Sequence, residues 1–311
     1  MVLFMTRVVL LGVPSSAGAR RKGQEGTPQL FRKVGLSEGL RSVGLHVVDY
    51  GDLPRAIFSV DARNPKQQNI ELVTDLTKLV ADRVYEAAQN SAKILVLGGD
   101  CTITLGVVAG LGRLYPDLGL MYFDGDVDLN TPDDTTSGIL DGMGMAHILG
   151  KGAGELTQIG SRIPLLPESK VVLFGFNAAA GWIDPPETQR LKELSLIQYA
   201  VNEIRGRGEP VSREACAQLE ARVDHILVHF DVDVIDFRDF PAADVPHEYG
   251  LSFGEAMDIL RVFVSSRKFA GLVITEFNAG RDVRGKLARR LVRGVAETFR
   301  CGRLKWEDAP E

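Results

Sequence analysis

Eight short apolar runs punctuate the chain with almost no internal alternation of apolar and polar residues. They are Arg7–Gly12, Leu45–Tyr50, Lys93–Gly98, Leu118–Phe123, Val171–Phe176, Leu194–Tyr199, His225–Phe230 and Gly271–Thr275. Val, Ile and Leu dominate them, the composition of strands buried on both faces. Between them, Pro28–Val43, Ile70–Asn90, Ile103–Tyr115, Phe253–Ser265 and Arg284–Phe299 carry apolar residues at helical spacing. Strands alternating with helices predict right-handed crossovers and a mostly parallel α/β sheet covered on both faces. No linker rich in Pro, Gly or Ser and no internal repeat divides the chain, so residues 1–311 are expected to form one domain.

The stretch with the most chemistry is Met121 to Gly144, MYFDGDVDLNTPDDTTSGILDGMG. The run ending at Phe123 is followed by Asp124, Asp126 and Asp128, three carboxylates at alternate positions. Charges a few Å apart repel strongly unless water, a shared proton or a cation lies among them. Taken alone, the stretch fits either a cation site or a solvated acidic turn. The other strand ends add to it. Gly98-Gly99-Asp100-Cys101 follows the third run, Asp231-Val-Asp233 the seventh and Glu276-Phe-Asn278 the eighth. Ligands bind at the carboxyl ends of strands in such sheets, and acids gathered at four of those ends favour a metal site.

Composition narrows the alternatives. Hydrophobic residues are 45% of the chain and charged residues 25%, ordinary for a globular protein. A net charge of −5 without any Lys/Arg run argues against a nucleic-acid partner. No apolar stretch approaches the ~20 residues that span a bilayer, so no membrane partner is expected. The N-terminal MVLFMTRVVLLGV lacks a signal-peptide layout and is expected to lead into the first strand. Three cysteines, Cys101, Cys216 and Cys301, imply no disulfide framework and point to a reducing, cytoplasmic setting.

The motifs, in this order and spacing, resemble the ureohydrolase family (arginase, agmatinase, formiminoglutamase), arginase most of all. They are LLGVPSSAGARRKGQEGTPQLFRKVGL at Leu10–Leu36, VVDYGDLP at Val47–Pro54, LVLGGDCTITLG at Leu95–Gly106 and DGDVDLNTPDDTTSGILDG at Asp124–Gly142. HFDVDVID at His229–Asp236, YGLSFGEA at Tyr249–Ala256 and ITEFN at Ile274–Asn278 complete the set. The resemblance implies a three-layer α/β/α fold with a parallel eight-stranded sheet, a binuclear manganese centre that hydrolyses a guanidine to urea, and a homotrimer or homohexamer.

Three histidines that define the family's site are replaced. Cys101 stands at the His of a GGDH motif, in a first metal site that would also use Asp124, Asp128 and a bridging Asp231. Asp126 stands at the His of DAHxD, in a second site with Asp124, Asp231 and Asp233. Asp141 stands at the proton-relaying His of SGNLHG. A thiolate and a carboxylate in place of two neutral imidazoles add negative charge and weaken the acidifying effect of metal on water. They also split the donor types: sulfur at Cys101 suits zinc or iron, and the all-oxygen second set suits manganese or magnesium. One or two divalent ions per chain, most simply manganese, are expected, with no symmetric pair.

Asp141 could act as a general acid with a pKa raised by its neighbours, or only solvate the rim. Glu276 matches the glutamate that clamps the guanidinium. Asn130 and Ser137 match groups that hold an amino acid's carboxylate, whereas Ile139 replaces a third. Asp184, in GWIDPPE, is a candidate for an α-amino group. By alternation His229 shares a face with Asp231 and reads first as a core histidine, second as a replacement ligand. His46, His147 and His225 read as structural, His247 and Glu248 as an exposed loop or pocket wall, and Arg20 with Arg21 as a pair ordering the first loop. The leading expectation is a metal-dependent guanidine hydrolase using Asp128, Asp141 and Glu276. The competing one is a catalytically silent homologue acting as a subunit or ligand sensor.

Overall fold

The structure is a computed structural model describing residues 5–89, 92–179 and 181–307. Eight strands form one sheet: β1 Arg7–Gly12, β2 His46–Asp52, β3 Lys93–Leu97, β4 Leu118–Phe123, β5 Val171–Phe174, β6 Ile197–Tyr199, β7 His225–Asp231 and β8 Phe269–Thr275. Their order is β2-β1-β3-β8-β7-β4-β5-β6, and every pairing is parallel. Each predicted run is a strand, with ends shifted by a few residues.

The lack of alternation has the cause expected. Leu120 and Tyr122 face one apolar layer, with Leu227, Val273 and the helices Ile70–Ala87 and Ile103–Gly112. Met121 and Phe123 face the other, with Phe230, Ile274 and the helices Phe253–Val264 and Lys286–Glu307. A strand packed on both sides has no solvent face on which to place a polar residue. The edge strand β2, by contrast, exposes His46 and Asp52.

Differences from the helix reading have local causes. The stretch Pro28–Val43 is two helices, Thr27–Lys33 and Leu36–Ser42, because Gly35 between them takes φ 95°, which ends a helical turn. The expected Ile70–Asn90 helix runs Ile70–Ala87, and Asn90 lies outside the described residues. The helices Pro185–Glu193 and Gly208–Glu220 escape a search for apolar periodicity because charged and small residues fill them. Among the described residues no helix is long and apolar enough to cross a membrane.

Candidate metal centre

The four strands whose ends carry the acids, β3, β8, β7 and β4, are consecutive in the middle of the sheet. Four sequence segments some 180 residues apart at their extremes thus meet at one edge. Their approach depends on Gly98, where a Cβ would stand 1.9 Å from the Ile274 carbonyl oxygen of β8. Asp128 and Glu276 take left-handed backbone, φ 50° and 59°, a conformation side chains rarely adopt outside functional sites.

A first cluster joins Cys101, Asp124, His229 and Asp231, each with a ligand-type atom within 4.8 Å of every other. The Cys101 thiol lies 2.8 Å from Asp231 Oδ2 and 3.7 Å from His229 Nε2. His229 Nε2 is 3.1 Å from Asp124 Oδ2. Its Nδ1 is 2.8 Å from Thr104 Oγ1, and its ring stacks on Tyr122 with centroids 4.1 Å apart. Thr275 Oγ1 donates to Asp231 Oδ2 at 3.1 Å. All four members are buried.

A second cluster joins Asp126, Asp233 and His247. His247 Nε2 is 3.3 Å from Asp126 Oδ2 and 3.6 Å from Asp233 Oδ2. Trp182 Nε1 donates to Asp126 Oδ1 at 3.0 Å. Gly125 sits between the clusters, its N–H donating to Asp233 Oδ1 at 3.0 Å, and a Cβ there would crowd both Asp233 and His247.

A third group shares Cys101 with Asp141 and Glu276. Asp141 Oδ1 accepts the Cys101 N–H at 2.6 Å. Glu276 Oε2 accepts from Gln24 Nε2 at 3.1 Å, while its Oε1 has no partner. These groups open on a cavity of about 250 Å³. Asn130, Ser137 and Ile139 line it, as do Asp128 and Asp244, with exposed Arg20 and Arg21 at its mouth.

Most residues singled out in the sequence therefore converge, with four differences of placement. Asp184 is not among the cavity lining: it is exposed and stands at the N-cap of Pro185–Glu193, where extended backbone before two prolines turns it outward. Asp128 joins neither ligand cluster; Tyr122 Oη donates to its Oδ2. Arg20 and Arg21, expected to order a loop, line the cavity. His229 and His247 are aimed at acids of the site. The signal for His229 was present in its two-residue spacing from Asp231; for His247 no pattern short of the loop's path would have served.

Burial, and then neighbouring carboxylates, push Asp124, Asp128, Asp141, Asp233 and Glu276 well above the usual carboxylic range. Burial and Asp231 push the Cys101 thiol up in the same way. Asp126 goes the other way: burial opposes its ionisation, but His247 and the Trp182 N–H outweigh it. Burial depresses His229 to about 3, so its imidazole is neutral.

The donor set fits a divalent cation. Eight carboxyl groups line the cavity, and the basic groups among the lining are Arg20 and Arg21 at its exposed rim. Glu276 Oε1 and both ring nitrogens of His247 are buried without hydrogen-bond partners. Neutral imidazole, thiol and carboxylates at one point are the ligands that zinc, iron and manganese take, and uncompensated they would destabilise the fold.

Comparison with known proteins agrees with the geometry. The sequence model described as "Arginase family" matches residues 6–300. Arginase from Bacillus caldovelox is 29% identical over 298 residues, covering 95% of this chain and 98% of that one. Human Arginase-1 is 31% identical over 298 residues, covering 94% and 91%. The native structure of the Bacillus caldovelox arginase superposes with a TM-score of 0.88 at 29% identity over 95% of this chain and 98% of that one.

Proposed function

The chain belongs to the arginase family, and from that premise we propose that it is a metal-dependent hydrolase of a guanidine-bearing small molecule, arginine or a relative. The observation that carries this reading is Glu276. Its side chain is 1% exposed, one oxygen is held by Gln24 and the other is free beside Cys101 and Asp141. A carboxylate presented in that way suits the N–H pair of a guanidinium, and an acidic surround favours a cationic ligand.

Cys101, Asp124, Asp126, Asp231 and Asp233 would hold the metal, with Asp128 lining the cavity beside them. A divalent cation bound there supplies Lewis acidity that makes water nucleophilic near neutral pH. The chain's own groups position and protonate. Glu276 fixes the guanidinium so that its carbon faces the acids. Asp141, whose pKa is raised by burial and then by Asp100 and Asp231, is placed to pass a proton to a departing amine. Asn130 and Ser137 at the cavity wall hold the substrate's far end. Ile139 beside them offers no hydrogen bond, which weakens recognition of a carboxylate there.

Urea release from a panel of guanidines by metal-loaded protein tests the reading. Glu276→Gln keeps the shape and removes the charge, and kcat/KM should fall at least about 30-fold, since breaking a buried charged pair costs roughly 2–5 kcal/mol. Protein with bound metal that releases urea from none of the panel is the silent homologue instead.

A further inference from the structure

The two ligand clusters are chemically unlike, and each contains a histidine from outside the positions where the motifs would supply one. Cys101, Asp124, His229 and Asp231 offer one sulfur, one imidazole nitrogen and two carboxylates. Asp126, Asp233 and His247 offer an imidazole nitrogen and two carboxylates. We propose that these are two non-equivalent metal subsites in which His229 and His247 are ligands. The thiolate subsite takes a borderline ion such as zinc or iron(II), and the oxygen-rich subsite takes a harder ion such as manganese. The inference rests on the reading that this site holds a divalent ion.

His229 is oriented for the task. Thr104 Oγ1 fixes Nδ1 at 2.8 Å, and the stack on Tyr122 fixes the ring plane, which leaves Nε2 facing Asp124 and Cys101. In the tautomer with the proton on Nδ1, the Nε2 lone pair points at a carboxylate oxygen 3.1 Å away. Two electron-rich atoms so placed in a buried site share a proton or a cation, and with the Cys101 sulfur and Asp231 beside them they present four donor atoms to one ion. Histidine ligands commonly spend their other nitrogen on such an orienting hydrogen bond.

The case for His247 is independent. The residue is 1% exposed, yet neither ring nitrogen has a hydrogen-bond partner, and Nε2 points between Asp126 and Asp233. A buried imidazole whose nitrogens make no aligned hydrogen bond costs stability, and with two carboxylate oxygens within 3.6 Å of Nε2 a divalent ion is a ligand that the ring and the acids can share. Ligand type then separates the subsites: sulfur selects softer ions, carboxylates harder ones.

Cobalt(II) titration of the metal-free protein, followed by absorption and calorimetry, tests this. Wild type should bind two ions per chain, one of them with a thiolate-to-cobalt charge-transfer band that Cys101→Ser abolishes. His229→Gln should weaken the ion that carries the band by about 100-fold or more, because loss of an outer partner alone costs 10–100-fold. His247→Gln should weaken only the ion without the band. Melting of the metal-free variants checks folding, and if His229→Gln does not fold, Cys101→Ser and His247→Gln decide. Two ions bound with unchanged affinity in the His247→Gln variant, or in a folded His229→Gln variant, overturn the assignment and leave the hydrolase reading intact. A wild type that binds neither cobalt, zinc nor manganese overturns both.

Discussion

The two acidic clusters at the sheet edge lie side by side, yet they are built differently. The Cys101–His229 cluster grows from the strands themselves: Asp231 ends β7, His229 is inside it, and Asp124 directly follows β4. Its polar atoms are tied to Thr104, Thr275 and Tyr122. The Asp126–His247 cluster lies beyond the strands: Asp126 follows β4 by three residues, Asp233 is in a short turn of helix after β7, and His247 is in a loop. Its Asp126 side chain is 34% exposed, and its histidine is held by a Trp182 ring 4.5 Å away rather than by a hydrogen bond. Strand-borne ligands inherit the rigidity of a packed core, whereas loop-borne ones are ordered largely by what they bind. The first cluster should hold its ion more stubbornly than the second.

Chelation makes the largest difference. Saturating a site at a hundred times its Kd adds about 2.7 kcal/mol of stability, or roughly 4 °C in Tm for a chain of this size. Stepwise chelation followed by calorimetry should show this loss in two stages, the second cluster emptying first. Simultaneous loss would erase the distinction.

A smaller effect sharpens it. Thr104→Val keeps the shape of the Thr104 side chain but removes the partner of His229 Nδ1. The first ion should bind 10–100-fold more weakly and the second as before, read by metal titration. Equal weakening of both would mean that the clusters act as one unit.

A third effect reports on the second cluster by way of pH. Glu187, buried and holding the Leu129 N–H at 3.0 Å, is raised from its ordinary 4.5 to about 7, chiefly by burial, with Asp126 adding to the rise. Its folded pKa lies above its unfolded one, so its stabilising contribution is complete below about 4.5 and is lost as pH rises through about 7. Glu187→Gln should flatten the fall in Tm between pH 5 and 8 in metal-free protein, a difference of about 1–3 kcal/mol. A cation beside Asp126 should shrink that difference in wild type. A pH profile unchanged by the substitution would show that Glu187 does not titrate there.

The sheet was legible because burial on both faces writes a continuous apolar run, and the acids were legible because they follow such runs at β4, β7 and β8. Cys101 came from its place after β3. Less legible was which side chains close the clusters. His229 shares a face of β7 with Asp231, as its spacing indicates, and the register against Tyr122 on β4 and Val273 on β8 sets its ring beside Asp124. His247 reaches the site through a loop, and loops carry no period from which direction can be inferred. Asp184 shows the converse: a residue that only its place in a motif suggests can face solvent.

Gly125 has a consequence for how the two subsites communicate. Its amide holds Asp233 of the second, while the next amide, Asp126 N–H, holds Asp124 Oδ1 of the first at 2.7 Å. One peptide segment is thus shared by both ligand sets, and ordering it for one ion prepares it for the other. Such sharing couples the two sites, and coupling is reciprocal: whatever tightening the first ion confers on the second, the second returns in equal measure. The ions should then leave in a fixed order, the second cluster emptying first, and the ion that remains loosens by the factor its neighbour had conferred.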